Sequence, residues 1–307
     1  RHTRYIGDWS SDVCSSDLDT NKGIATVYYY ENVVPNGSIN DTGVIYVQPG
    51  TKESLTLNIT NDNLEIVSDQ SILVYYDGTG ANDKFQLPPA ANTIYGMSSR
   101  YASLGAINYS TVTVDYYCTD GSTGTVNAGQ SETTISSHGT NYDGIACKYV
   151  ARDNHLIGGN SQNDGSGSNA TSFLSEDYFS TVFPIAFDTS FIKMISNQPA
   201  TCTGTDWSVT LSGDTTNDIY EARVTNKLAG EVVTCNLPIM LIADPNSTKD
   251  ETNIITVENA PIKFVSMVPT RLSENEDYSF EIEAVLLNGD PVSDISMKAK
   301  PESRSEE

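Results

Sequence analysis

Hydrophobic and polar residues alternate with a period of two in several segments of the chain. In the clearest segment, Val112, Val114 and Tyr116 alternate with Thr113 and Asp115. The same alternation occurs in the ranges 54–60, 207–211 and 279–286. A period of two places neighbouring side chains on opposite faces of a strand, of which one face is buried. The pattern therefore predicts half-buried β-strands.

Turn sequences separate these segments, for example Pro49-Gly50, Gly213-Asp214 and Asn288-Gly289. Many short strands joined by such turns are typical of antiparallel sheets packed in pairs. We therefore expect an all-β fold of tandem antiparallel β-sandwich domains. Residues 175–181 are predicted as one short helix, and the Gly-, Ser- and Asn-rich range 158–171 is predicted as a loop or linker.

Both ends of the chain resemble translated sequencing adapter. Residues 8–18 read DWSSDVCSSDL, which resembles one reading frame of a common short-read adapter, and residues 304–307 read RSEE, which the opposite strand of the same oligonucleotide encodes. Such segments are set aside before the fold is considered. We expect residues 1–18 and 304–307 to be adapter, and residues 19–303 to be an internal fragment of a longer protein.

The cysteine count becomes even once the adapter is removed. The chain has five cysteines, and without Cys14 four remain, Cys118, Cys147, Cys202 and Cys235. An even count is typical of proteins from oxidising compartments, which predicts an extracellular or cell-surface protein. Three pairings are possible. We favour Cys118 with Cys147 and Cys202 with Cys235, because each pair would then close a loop within one domain.

The charge of the chain excludes one class of partner. Its formal net charge is −23 at pH 7. A surface this acidic repels the phosphate backbone, so we expect no nucleic-acid partner. Apolar runs also fall short of the roughly 20 residues that a spanning helix needs, and we expect no membrane span in this fragment.

The cysteines and the alternating strand pattern recur along the chain. Cys118-Thr119 and Cys202-Thr203 are each followed by a Gly- and Thr-rich stretch, which indicates a repeat of about 85 residues. The range 262–292 places Pro269, an acidic turn and an alternating strand before Gly289-Asp290-Pro291. This segment resembles the opening of the tandem immunoglobulin-like β-sandwich repeats of prokaryotic surface proteins of the S-layer and adhesin type.

The resemblance and the cysteine spacing together predict a domain order. We expect β-sandwiches at 19–95, at 96–175 with a disulfide and the Gly/Ser/Asn-rich loop, and at 176–258 with a disulfide. A truncated immunoglobulin-like domain is expected to begin at 259 and to run to 303.

Calcium is the one cofactor that the sequence suggests. Two acidic loops follow predicted strands, and their oxygen-bearing residues are Asp77, Asn82 and Asp83 in the first loop and Asp244, Asn246 and Asp250 in the second. Hard cations bind six to eight oxygens from such loops. The alternative is ordinary turn chemistry, in which Asp and Asn cap bends.

Six Asn-x-Ser/Thr triplets are candidate glycosylation sites in a secreted protein. They begin at Asn36, Asn40, Asn58, Asn108, Asn169 and Asn246.

Signatures of catalysis are missing from the sequence. The chain has three histidines, none in a recognisable nucleophile–base motif, and it has no G-x-S-x-G segment. We expect a structural or adhesive extracellular surface protein without catalytic activity, whose partners are other copies of itself, other surface proteins or glycans.

Two alternatives stay open. One is a carbohydrate-binding module with an aromatic platform formed from Tyr28, Tyr29, Tyr30, Tyr75 and Tyr76. The other is a subunit of an extracellular filament that assembles by adding a strand to a neighbouring sheet.

Overall fold

A computed structural model describes the chain in part. The described residues are 3–7, 15–16, 24–33, 38–48, 51–55, 62–70, 72–77, 84–98, 101–107, 112–128, 133–134, 144–162, 170–245, 252–255, 263–264 and 284–285. The chain divides into two compact units, Arg1–Thr256 and Val257–Glu307. The described residues of the second unit form one antiparallel pair of short strands, β24 (Lys263–Phe264) and β25 (Ala284–Val285).

The first unit is all-β, as the alternating pattern predicts, and its strands fall into three successive groups, which we call modules 1, 2 and 3. The strands of module 1 are β1 (Thr3–Gly7), β2 (Ser15–Ser16), β3 (Ala25–Val33), β4 (Ser38–Val47), β5 (Asp62–Ser68), β6 (Ile72–Asp77) and β7 (Lys84–Leu87). Those of module 2 are β8 (Thr93–Ser98), β9 (Tyr101–Ala106), β10 (Val112–Cys118), β11 (Thr123–Ala128), β12 (Thr133–Thr134), β13 (Ile145–Ala151), β14 (Ile157–Gln162) and β15 (Ala170–Ser172). Those of module 3 are β16 (Ser180–Pro184), β17 (Thr189–Ser196), β18 (Thr201–Thr203), β19 (Ser208–Thr210), β20 (Ser212–Asp214), β21 (Ile219–Lys227), β22 (Val232–Pro245) and β23 (Thr252–Ile254).

The three modules share one strand order. The first sheet of module 1 has the order β4-β3-β5-β1, and that of module 2 has the order β11-β10-β13-β8. In module 3 the order is β19-β18-β22-β16. The second sheets contain β2-β6-β7, β9-β14-β15 and β17-β22-β23 in the same relative positions. Every described pairing is antiparallel.

One long strand joins the two sheets of module 3. The first part of β22 pairs with β16 and β18, and its second part, from Met240 onward, pairs with β17. In modules 1 and 2 these two positions are filled by two separate strands. Strands β5 and β13 lie in the first sheets, and β6 and β14 lie in the second sheets. This change of sheet by one strand is why module 3 forms a continuous eight-stranded sheet.

Each module has its own hydrophobic core between its two sheets. The inward side chains of module 1 include Val27, Leu64 and Val74, which are all fully buried. The core of module 2 contains Tyr149 stacked on Phe173, with ring centroids 4.9 Å apart. Two sheets that enclose one core are the β-sandwich arrangement that the alternating pattern predicts.

Modules 1 and 2 also share an equivalent cross-strand contact between a glycine and a tyrosine. Gly43 lies opposite Tyr29 on the β3–β4 hairpin, and Gly124 lies opposite Tyr116 on the β10–β11 hairpin. A Cβ atom at Gly43 would lie 2.5 Å from the Tyr29 hydroxyl oxygen, and one at Gly124 would lie 2.7 Å from the Tyr116 ring. Both positions require glycine because a tyrosine ring covers the backbone there.

Two local predictions are wrong in part. Of residues 175–181, predicted as one short helix, Glu176–Tyr178 forms a three-residue 3-10 helix, and strand β16 begins at Ser180. In the range 158–171, residues 158–162 belong to β14 and residues 170–171 to β15, and these strands pair, so the loop prediction is wrong for them. Residues 163–169 lie outside the described part of the chain. Gly159 fits β14 because a Cβ there would lie 2.7 Å from Leu104 and 2.9 Å from Phe173.

Several expectations are not tested by the fold. The domain boundaries stay predictions, and the one between 95 and 96 lies inside β8. The adapter origin of residues 1–18 also stays a prediction; β1 and β2 lie in that segment, and residues 304–307 lie outside the described part. No helix in the described part of the chain is long and apolar enough to cross a bilayer.

Candidate functional site: the joint between modules 2 and 3

The two disulfides occupy equivalent positions in modules 2 and 3. Cys118 on β10 is bonded to Cys147 on β13, and Cys202 on β18 is bonded to Cys235 on β22. In each pair the two cysteines lie directly opposite each other on neighbouring strands. All four are buried. This is the pairing that the sequence favours, and it places one covalent link at the same point of both modules.

Two neighbouring strands in the second sheet of module 3, β17 and the second part of β22, are buried on both faces. On β17, Ile192 and Met194 point into the core of module 3, whereas Lys193 and Ile195 point the other way. All four side chains are nonetheless buried, because module 2 covers the outward face. The outward face of these strands is therefore an interface between modules 2 and 3 rather than a solvent-exposed surface, and we call this interface the joint.

An apolar cluster forms the body of this joint. Its buried members come from both modules: Tyr95, Met97, Ala146, Leu174, Ile195, Ile219, Met240 and Ile242. The ring of Phe179 packs edge-on against Tyr95 with centroids 5.2 Å apart. Burial of this kind stabilises by roughly 25 cal/mol per Å² of apolar surface removed from water.

A buried lysine lies at the edge of the cluster. Lys193 is 4% exposed, and its Nζ lies 3.0 Å from Oε2 of Glu221. The same ammonium donates a hydrogen bond to the Gly144 carbonyl of module 2. Glu221 Oε2 also accepts a hydrogen bond from the Ala146 backbone N–H at 2.7 Å. The pair therefore ties β17 and β21 of module 3 to the start of β13 in module 2.

Further hydrogen bonds cross or flank the joint. Lys148 Nζ donates to the Asn217 carbonyl, and Asn253 Nδ2 donates to the Ser172 carbonyl at 2.8 Å. The Tyr95 hydroxyl donates to Glu176 Oε1 at 2.6 Å. Burial, followed by this hydrogen bond, raises the pKa of Tyr95 above its ordinary value. Burial also raises the pKa of Tyr178 to about 12, so both phenols stay neutral at physiological pH.

The sequence did not single out Lys193 or Glu221. The available signal was a lone lysine within the apolar run Phe191-Ile192-Lys193-Met194-Ile195. A strand that is apolar at successive positions is buried on both faces, so a charged residue inside it needs a partner.

Only one predicted calcium ligand of each loop lies among the described residues. Asp77 ends β6 and lies opposite Lys84, while Asn82 and Asp83 lie outside the described part. Asp244 lies in β22 opposite Phe191, and Asn246 and Asp250 lie outside the described part. The described residues contain no group of three or more His, Cys, Asp or Glu that could hold a metal ion. The calcium site stays a prediction.

The candidate glycosylation sites also stay predictions. Asn40 lies in β4. The other five lie outside the described residues, namely Asn36, Asn58, Asn108, Asn169 and Asn246.

The five tyrosines proposed as one platform do not share one surface. Tyr28 is 44% exposed on module 1, whereas Tyr29 packs against the core of that module and Tyr30 is half-buried. Tyr75 is exposed, but it lies on β6 of the other sheet, as does Tyr76, whose side chain is outside the described part. Consecutive strand residues point to opposite faces, which separates Tyr28 from Tyr29.

No family model matches the chain, and neither the comparison with curated proteins nor the comparison with solved structures finds a significant match.

Proposed function

We propose that the chain is a non-catalytic structural segment of an extracellular surface protein, in which repeated β-sandwich modules form a rigid, load-bearing array. The observation that carries the proposal is the joint between modules 2 and 3, where a buried apolar cluster is bordered by the Lys193–Glu221 pair. A spacer that holds its ends apart needs modules that do not bend at their connections. Modules joined by flexible linkers would bend at each linker, so the distance between the ends of the array would vary.

The disulfides support both the location and the mechanical role. Cytosolic thiols are kept reduced, so two buried disulfides favour an oxidising compartment. Each disulfide joins two strands of one sheet directly, so a pulling force cannot separate them while the link is intact. The suggested kinship with immunoglobulin-like repeats of surface proteins, drawn from residues 262–292, belongs to the same proposal.

Extension of single full-length chains held by their two ends tests this function. Under non-reducing conditions the residues between each pair of cysteines should stay unextended when modules 2 and 3 unfold. The cysteines are separated by 29 and 33 residues. With a reductant, extension should therefore increase by about 100 Å and about 110 Å, at 3.3 to 3.6 Å per residue.

Modules that bear load should also extend in discrete steps. A gradual extension from the lowest forces, equal with and without reductant, would show that the chain is not a load-bearing array.

A further inference from the structure

Three buried hydroxyl groups of module 2 have no hydrogen-bond partner among the described residues. They are the phenol oxygen of Tyr149, Oγ of Ser98 and Oγ1 of Thr171. Tyr149 and Ser98 are 0% exposed, and Thr171 is 1% exposed. A buried hydroxyl without a partner costs folding free energy, so native proteins leave few such groups unpaired. The three hydroxyls therefore call for a partner that the protein itself does not supply.

Ser98 and Thr171 lie at the same level of the sandwich, one in each sheet. Tyr95 on β8 pairs antiparallel with Leu174 through two backbone hydrogen bonds of 2.8 Å. Positions run in opposite directions along an antiparallel pair, so Ser98, three residues after Tyr95, comes level with Thr171, three residues before Leu174. Ser98 ends β8 in the first sheet, and Thr171 belongs to β15 in the second sheet.

The phenol of Tyr149 reaches the same part of the core. Its ring stacks on Phe173, which lies on the same face of the strand as Thr171 and packs against Gly96, two residues before Ser98. Burial raises the pKa of Tyr149 above its ordinary value, and the nearby Ser98 hydroxyl acts in the opposite direction. Ser98 and Tyr149 are thus neighbours, yet by distance and angle their oxygens form no direct hydrogen bond.

The fold does not require polar side chains at these positions. When the cysteines of modules 2 and 3 are aligned, Ser98 corresponds to Phe183 and Tyr149 corresponds to Leu237. Phe183 is fully buried, and Leu237 packs against the core of module 3. An apolar core at this point is therefore compatible with the fold. Module 2 differs by placing hydroxyl groups there, and its serine fills less space than the phenylalanine of module 3.

We propose that Ser98, Tyr149 and Thr171 together bind one buried water molecule, which links the two sheets of module 2. A buried water typically makes about three hydrogen bonds to polar groups that are otherwise unpaired. Each of the three hydroxyls can both donate and accept, so all of them can bond to the same water. A bridge through water is nearly as strong as a direct hydrogen bond.

This bridge connects parts of module 2 that its disulfide does not. Cys118 and Cys147 join two strands of the first sheet. The water instead joins Ser98 and Tyr149 of the first sheet to Thr171 of the second sheet. It therefore resists separation of the two sheets rather than of strands within one sheet.

Oxygen-17 magnetic relaxation dispersion of the full chain tests the proposal, because it detects water molecules that stay bound for long times. Thr171→Val keeps the shape of the side chain but removes the hydroxyl, so it should remove a long-lived water from the wild-type signal. Thr171→Ser is the matched control, since it removes the methyl group and keeps the hydroxyl, and it should retain that water. Ser98→Ala should repeat the loss seen with Thr171→Val.

Urea unfolding supplies a second readout, in which the sign of the change is decisive. Thr171→Val and Tyr149→Phe should each raise the ratio of unfolded to folded protein about fivefold, because the bound water loses a partner. If the hydroxyls had no partner in solution, both variants would lower that ratio, since each removes an unpaired buried group.

A lower ratio in both variants would therefore overturn the proposal. So would an oxygen-17 signal that Thr171→Val leaves unchanged, or one that the Thr171→Ser control reduces as much as Thr171→Val does.

Discussion

Removal of the Cys202–Cys235 disulfide is expected to lower the free energy of unfolding of module 3 by about 3 to 4 kcal/mol. The link closes a loop of 33 residues, and the chain-entropy relation gives a stabilisation of this size for such a loop. Both cysteines are buried, so Cys202→Ala together with Cys235→Ala removes the link without burying a new polar group. Alanine also leaves a small cavity, which acts in the same direction.

Trp207 provides the measurement for this change. It packs against the core of module 3, and its Nε1 donates a hydrogen bond to Glu231. Its fluorescence during urea unfolding should show the lower midpoint. The matched variant Cys118→Ala with Cys147→Ala lies in module 2, where the loop spans 29 residues, and it should cause a similar loss in the tyrosine and circular dichroism signals. If neither pair of substitutions lowered the midpoint of urea unfolding, the disulfides would not stabilise their modules as we expect.

Glu221→Ala is expected to destabilise the joint between modules 2 and 3 by about 3 kcal/mol. The substitution leaves the ammonium of Lys193, which is 4% exposed, without its carboxylate. It also removes the acceptor of the Ala146 backbone N–H. The double variant Lys193→Met with Glu221→Gln should recover most of the loss, because an apolar side chain then replaces the buried charge.

The Asp115–Arg152 pair supplies the exposed control. Its side chains are 26% and 54% exposed, so Asp115→Ala should cost no more than about 1 kcal/mol. The measurement is guanidinium unfolding of the four proteins, with spectroscopic probes for both modules. A Glu221→Ala loss no larger than that of Asp115→Ala would show that the buried pair does not hold the joint.

The sequence predicted those features that depend on one local pattern. The alternation of Val112, Val114 and Tyr116 with other residues predicts the strand β10, in which these three side chains are buried and those between them are half-buried. The disulfide pairing was favoured because each link stays within one module. Both follow from patterns within one module, the alternation along one strand and two cysteines about 30 residues apart.

Features that depend on contacts between distant segments were not predicted. The repeat in module 1 was hidden because Glu31 and Leu64 occupy the positions of the two cysteines. Alternation places Tyr28 and Tyr29 on opposite faces of the strand, but it does not predict which of the two faces the core. The position of the second sheet decides this, and it places Tyr29 against the core. The role of Lys193 requires module 2, which approaches from a different part of the chain.

The repetition of one module along the chain is tested most directly by a third disulfide. Glu31 on β3 lies opposite Leu64 on β5, as Cys118 lies opposite Cys147 and Cys202 opposite Cys235. If module 1 is a copy of the other two, Glu31→Cys with Leu64→Cys should form a new link on purification in air. The variant Glu31→Cys with Ile66→Cys should not form a disulfide, because Ile66 lies two residues along β5 from the position opposite Glu31.

Mass spectrometry of the alkylated, non-reduced proteins is the measurement. The account predicts that the Glu31→Cys, Leu64→Cys variant is about 2 Da lighter than its dithiol form, with no alkylation at either new position. Two alkylated thiols at 31 and 64, in a protein that keeps its two natural disulfides, would contradict the claim that the chain repeats one module.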